Sequence, residues 1–134
     1  NYDLIVSNPP YFNKSLQPSN SERSKARHQN DLKLEDILKF SNQNLTKDGS
    51  LNIILPFEQK SEAVEFAKKH GLNAIRECAV YPKPNKVPHR ILIEFSRNEN
   101  KQMIKESLVI EEDGRHNYSE DYKKLTREFY TIFE

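Results

Sequence analysis

Four consecutive residues, Asn8-Pro9-Pro10-Tyr11, stand directly behind the apolar run Leu4-Ile5-Val6. Two prolines fix φ and remove two backbone donors, so the turn is stiff and its carbonyls remain able to accept hydrogen bonds. The Asn8 side-chain oxygen and a carbonyl of that turn together suit the two hydrogens of one exocyclic NH2 group. Tyr11 adds a flat face on which a planar group can stack. The chemistry is that of holding a planar amino nitrogen at the end of a strand. With proline near 5% of residues, Asn/Asp-Pro-Pro-aromatic arises by chance in roughly one chain of this size in several hundred. The plainer alternative is a rigid surface turn in which Tyr11 only caps the core.

The elements needed to position this turn follow from the pattern around it. Asp3 to Ser7 reads as a buried parallel strand ended by proline. Residues 12–30 are polar, rich in Ser and Asn and without periodicity, a length of loop that normally has a functional reason. Leu34, Ile37, Leu38 and Leu45 fall on one helical face, with Gly49 placed to stop the helix. Leu51 to Leu55 is a second buried strand closed by Pro56. A second helix spans about Glu58 to His70, with Ala63, Val64, Phe66 and Ala67 apolar and Gly71 at its end. Leu72 to Tyr81 and Arg90 to Ser96 are two strands joined by a proline-rich loop too short for a helix, so they run antiparallel. Residues 107–112 form a candidate further strand. Ser119 is a candidate N-cap for a last helix carrying Tyr122, Leu125, Phe129 and Phe133 along one stripe. Alternating β and α units predict an α/β fold, a parallel sheet covered by helices with an antiparallel β-hairpin at one edge. Ligands of such sheets sit beyond the carboxyl ends of the strands, where Asn8 to Tyr11 falls.

Composition narrows the class. The 134 residues make one domain's worth of chain, 35% hydrophobic and 31% charged, with a mean hydropathy of -0.88. No stretch approaches the roughly 20 apolar residues of a membrane span, and the N-terminus is not a signal peptide. The single cysteine, Cys78, excludes an internal disulfide and points to a reducing, cytoplasmic setting; it reads as core filler. Net charge is +1, but unevenly spread. Residues 13–33 carry five bases (Lys14, Arg23, Lys25, Arg27, Lys33) against two acids, and 82–90 carry Lys83, Lys86 and Arg90 against none. The part from Glu99 onward has six bases against nine acids. Two basic loops fit a polyanion meeting one side of the molecule; ordinary solvated loops are the alternative. His70, His89 and His116 lack metal-like spacing, so no metal is expected. No Gly-x-Ser-x-Gly elbow supports a serine hydrolase.

The chain resembles the class I S-adenosylmethionine-dependent methyltransferases acting on amino nitrogen, whose fourth strand ends in Asn/Asp-Pro-Pro-aromatic and whose sheet ends in an antiparallel hairpin. Within them, three stretches are similar to the bacterial tRNA1(Val) (adenine(37)-N6)-methyltransferase family. They are VSNPPYF before a basic loop, Ala26-Arg27-His28 ahead of Leu34-Glu35-Asp36, and Tyr118-Ser119 with Tyr122, Leu125-Thr126 and Phe129-Tyr130. The resemblance implies S-adenosylmethionine as cofactor, tRNA as partner, and methylation of adenine N6 next to the anticodon. It implies catalytic roles for Asn8, Pro9, Pro10 and Tyr11, with Asn8 Oδ1 and the Pro9 carbonyl accepting the two N6 hydrogens and Tyr11 stacking on the base. Phe12 would extend the platform, and Arg23, Lys25, Arg27, His28, Lys83, Lys86 and Arg90 would contact substrate phosphates. Salt bridges from Arg27 or His28 to Glu35 or Asp36 are the structural alternative for those two.

One departure is large. The chain has three well-separated glycines, Gly49, Gly71 and Gly114, so it lacks the Gly-rich loop that holds the cofactor in that family. Residues 1–134 are therefore expected to be the C-terminal, acceptor-side half of one catalytic domain, inactive alone, with only Asn8 on the cofactor side. Such a piece would expose a strand edge and an apolar sheet face, and could self-associate. Two rivals remain at this point: glutamine-N5 methylation of peptide release factors, whose amide is also planar, and a non-catalytic RNA-binding module. DNA adenine methylation fits less well, since those enzymes more often begin the motif with Asp and carry an added recognition domain.

Overall fold

The computed structural model describes residues 1–10, 33–99 and 101–131. The 12–30 loop therefore lies outside the described residues, as does Phe133. Among the described residues five strands form one sheet: β1 (Tyr2–Ser7), β2 (Leu45–Pro56), β3 (Asn73–Tyr81), β4 (Arg90–Ser96) and β5 (Ile104–Val109). Helices α1 (Leu34–Asn44), α2 (Lys60–Lys69) and α3 (Glu120–Thr126) complete it, with a 3-10 turn at Phe57–Gln59. The strand order is β1-β2-β4-β3-β5. β1 runs parallel to β2, β4 is antiparallel to both β2 and β3, and β5 is parallel to β3. Every strand but β4 thus points the same way, and Ser7, Pro56, Tyr81 and Val109 end together along one carboxyl edge.

The fold is the expected α/β sheet with its antiparallel β3–β4 hairpin. The hairpin has a neighbour outside it: the candidate strand at 107–112 begins three residues earlier, at Ile104, and pairs along β3. One face of the sheet is the core. Leu51, Ile53 and Leu55 of β2 and Ile91, Ile93 and Phe95 of β4 pack there against Leu38 of α1 and Ala63 and Ala67 of α2. Alternation along β2 and β4 places these side chains on one side and their neighbours on the other. Glu77, also buried on the core side, is held by Lys60 of α2 through bonds of 2.7 and 2.8 Å.

Three expectations are corrected. Gly49 does not stop α1; the helix ends at Asn44, and Gly49 lies inside β2. Leu45 fits the helical stripe because it is a core residue, yet its backbone is already extended (φ -72°, ψ 146°) and its side chain is fully buried as the first residue of β2. Gly49 is needed for a different reason. A Cβ there would stand 2.8 Å from the Tyr2 carbonyl and 3.1 Å from that of Asp3, where the register between β1 and β2 shifts. The same irregular stretch is tied by Thr46 Oγ1 donating to Asp3 Oδ1 at 2.8 Å and by the Arg97 guanidinium donating to the Leu45 and Thr46 carbonyls. Gly49→Ala must push β1 off its partner, so a loss of about 1–3 kcal/mol is expected, readable as a lower urea midpoint.

The second correction concerns β1. Leu4 and Val6 are not buried but 58% and 72% exposed, because β1 is an edge strand and α1 and α2 pack against the opposite face of the sheet. The third concerns the last helix. The Ser119 hydroxyl does cap it, accepting from the Tyr122 amide at 3.1 Å, but α3 ends at Thr126. Leu125 and Phe129 are 62% and 82% exposed, so the stripe does not serve as a core face. No helix among the described residues is long and apolar enough to cross a membrane.

Candidate active site at the carboxyl edge

Asn8, Pro9 and Pro10 leave β1 at the carboxyl edge of the sheet. Pro9 is buried while Asn8 and Pro10 are exposed, so the ring of Pro9 anchors the turn and leaves Asn8 accessible. Asn8 shares a groove of about 620 Å³ with Ser7 and Val6 of β1 and Asn52 and Ile54 of β2. The Asn52 amide donates to Ser50 Oγ at 3.0 Å, which orients it along this wall.

The same edge carries one of the two basic loops. β4 starts there because it runs against its neighbours, and Arg90 pairs with Pro56. Two strand spacings of ~4.8 Å separate β1 from β4, so Arg90 enters the sheet about 10 Å from the line of β1. The loop is stitched down: the His89 amide donates to the Val80 carbonyl (2.9 Å), and the Phe57 amide donates to that of His89 (3.1 Å). The Arg90 guanidinium also bonds the His89 carbonyl at 3.0 Å. Lys83 is drawn to Glu111 (3.9 Å), whereas Lys86 is exposed at the tip. Asn8, Lys83, Lys86 and Arg90 are thus brought to one edge. Tyr11, Phe12, Arg23, Lys25, Arg27 and His28 lie outside the described residues.

Glu35 and Asp36 have partners of their own. Asp36 Oδ2 accepts the Lys33 amide at 3.2 Å, and Glu35 accepts from His70 Nε2 at 2.9 Å, with Lys39 at 3.8 Å. The His70 bond first, and the Lys39 charge second, hold the Glu35 carboxyl below its ordinary value of 4.5. A depressed folded-state pKa stabilises the fold above the ordinary value, and that contribution is lost as pH falls through the depressed one. Glu35→Gln is therefore expected to flatten the acid side of the stability profile below about pH 4.5, followed by thermal unfolding across pH 3–6. Sequence reading missed this link from α1 to the end of α2, because only the fold puts the two residues side by side.

None of the three glycines forms a cradle. Gly49 is inside β2, Gly71 (φ 72°) ends α2, and Gly114 (φ 77°) sits in a turn with open space around it. The described residues therefore contain no glycine-rich loop that could cradle a nucleoside. Among them, no three His, Cys, Asp or Glu side chains converge as a metal site.

The arrangement is a parallel sheet ending in an antiparallel strand, with a stiff Asn-bearing turn at its carboxyl edge. It superposes on the crystal structure of a protein from Agrobacterium tumefaciens described as a predicted O-methyltransferase, with a TM-score of 0.67 and 17% identity, over 94% of this chain and 51% of that one. The sequence is similar to curated proteins named tRNA1(Val) (adenine(37)-N6)-methyltransferase. Identity is 43% to that of Bacteroides thetaiotaomicron and 40% to that of Parabacteroides distasonis, each over 96% of this chain. For the protein of Histophilus somni it is 37% over 98%. The resemblance seen around VSNPPYF thus extends over nearly the whole chain. The chain spans 54% of the length of each of these relatives. No family model matches it.

Proposed function

We propose that this chain is the acceptor-binding part of an S-adenosylmethionine-dependent methyltransferase that acts on the exocyclic N6 of an adenine in tRNA, next to the anticodon. The observation that carries the reading is the position of Asn8-Pro9-Pro10: it closes a parallel strand at the sheet's carboxyl edge, with the backbone pinned by buried Pro9. The names of the relatives support the acceptor.

The chain's own groups account for the acceptor chemistry. An adenine N6 lone pair is delocalised into the ring and is a weak nucleophile. Asn8 Oδ1 and the Pro9 carbonyl accept its two hydrogens, which favours a pyramidal nitrogen with its lone pair directed out of the ring plane. In this reading Tyr11 supplies the stacking face for the base and Phe12 extends that platform. The cofactor supplies an electrophilic methyl group, and its pocket is completed by residues beyond this chain. Positioning and electrostatics do the rest, with no covalent enzyme intermediate. The base must leave its stack to enter, which is easiest in a single-stranded loop. Lys86 and Arg90 stand at the right edge to meet the flanking phosphates, and Arg23, Lys25, Arg27 and His28, which follow the motif in the sequence, are the further candidates for that contact.

The test is methyl transfer from labelled S-adenosylmethionine by the longer polypeptide that carries this chain. Bulk tRNA, a release factor and duplex DNA are offered separately. Label recovered as N6-methyladenosine from tRNA is expected; label in the release factor would move the enzyme to the glutamine class. With no label in any acceptor, the binding-module reading stands.

A further inference from the structure

The loop between β3 and β4 holds an apolar side chain out in water. Val87 is 73% exposed, between Lys86 and Pro88. A single exposed valine is ordinary on a protein surface. What sets this one apart is a fixed backbone. Three of the nine residues in 82–90 are proline, at 82, 84 and 88, each with φ locked. The Lys86 amide donates to the Lys83 carbonyl at 3.2 Å and closes the turn at the tip. Two residues beyond Val87, the backbone of His89 is bonded both to Val80 of β3 and to Phe57. A loop held in this way loses little freedom when something docks on it.

The surroundings say what docks. Lys83, Lys86 and Arg90 flank the tip, and 82–90 holds no acid. The next hairpin is the opposite. It carries Glu111, Glu112 and Asp113, and its Glu111 amide donates to the Pro82 carbonyl at 3.1 Å. By the strand order this acidic hairpin stands on the β5 side of the loop, away from Asn8. A polyanion is therefore turned away on that side and drawn over the loop and the ground between it and the Asn8 turn. An apolar side chain set among cations is the kind of group that proteins insert between nucleic-acid bases. A base drawn out of its stack swings about half a turn around the backbone, so the gap it leaves lies beside the pocket and not in it. The root of the loop, at Arg90, lies about 10 Å to the side of β1. We propose that Val87 is a wedge: it enters the gap left when the acceptor adenine moves to Asn8, and packs on the base next to that gap. The inference rests on the nucleic-acid acceptor of the proposed function and adds what keeps the base out of its stack.

The longer polypeptide that carries this chain would be assayed for methyl transfer to two forms of one anticodon stem-loop. In the first the adenine next to the anticodon is stacked; in the second both of its neighbours are abasic, so it is already free. Val87→Ala is expected to lower kcat/KM about 10-fold on the stacked form, within the range for one lost base contact. On the abasic form it should change nothing, because no stack is left to open. Val87→Leu should keep the unaltered value on both. Lys86→Ala should weaken both forms alike and flatten the salt dependence, as a phosphate contact does. With 2-aminopurine in place of the acceptor adenine, binding should brighten its fluorescence, and less so for Val87→Ala. The unfolding midpoint of Val87→Ala should stay where it is, since the side chain is exposed. An equal loss on the two forms, or no loss on either, overturns the wedge. A loss confined to methylation of a release factor also overturns it and assigns Val87 to a protein interface. If the unaltered enzyme methylates neither RNA, the proposed function fails first, and the wedge with it.

Discussion

Asn8→Ala is expected to lower kcat/KM for methyl transfer by about 10²–10³-fold, the range found when one positioned hydrogen-bonding group is removed from a reacting centre. Asn8 is exposed beyond the end of β1, so its truncation removes no core contact and the unfolding midpoint should hardly move. Under the proposed function the loss belongs to kcat more than to KM, because the amide would draw on the amino hydrogens as the nitrogen becomes pyramidal. Asn8→Asp keeps an acceptor oxygen at the same place and should retain more activity than Asn8→Ala. Single-turnover measurements with saturating tRNA and cofactor separate the two effects. A large fall in stability with Asn8→Ala, and none in the chemical step, would assign Asn8 to the turn alone.

The largest expected stability effect lies at Phe95. It is wholly buried in β4, the strand flanked by β2 and β3, and pairs with Leu51 on one side and Ala74 on the other. Phe95→Ala deletes an aromatic ring where the surrounding strands are held by ladders on both sides and cannot collapse into the space. A loss of about 3–5 kcal/mol follows, from transfer and cavity terms together. Phe95→Leu, closer in volume, should cost about 1 kcal/mol. Urea titrations of both variants check the ratio. The effect reaches the site, since β4 supports Arg90 and its loop and β2 supports β1.

Much of this molecule is legible in one dimension. The turn at 8–10, the two strands at 51–55 and 90–96, the two helices between 34 and 70 and the cap at Ser119 all rest on local rules: proline geometry, alternation, helical spacing and side-chain capping. The motif that carries the candidate chemistry is contiguous, so the residues that must act together are together in the sequence.

What the sequence did not contain was the company each element keeps. Gly49 looked like a helix stop, since glycine serves both roles, and only the approach of the Tyr2 carbonyl to within 2.8 Å of its Cβ position distinguishes them. Leu4 and Val6 read as buried because apolarity alone does not say how many faces of a sheet are covered. The Glu35–His70 and Lys60–Glu77 pairs join residues 35 and 17 positions apart, beyond any local pattern. Strand order decided the last point. The antiparallel hairpin was legible, but only the tertiary structure seats β4 beside β2, two strands from β1, and so brings Arg90 and its basic loop near the point where Asn8 leaves the sheet.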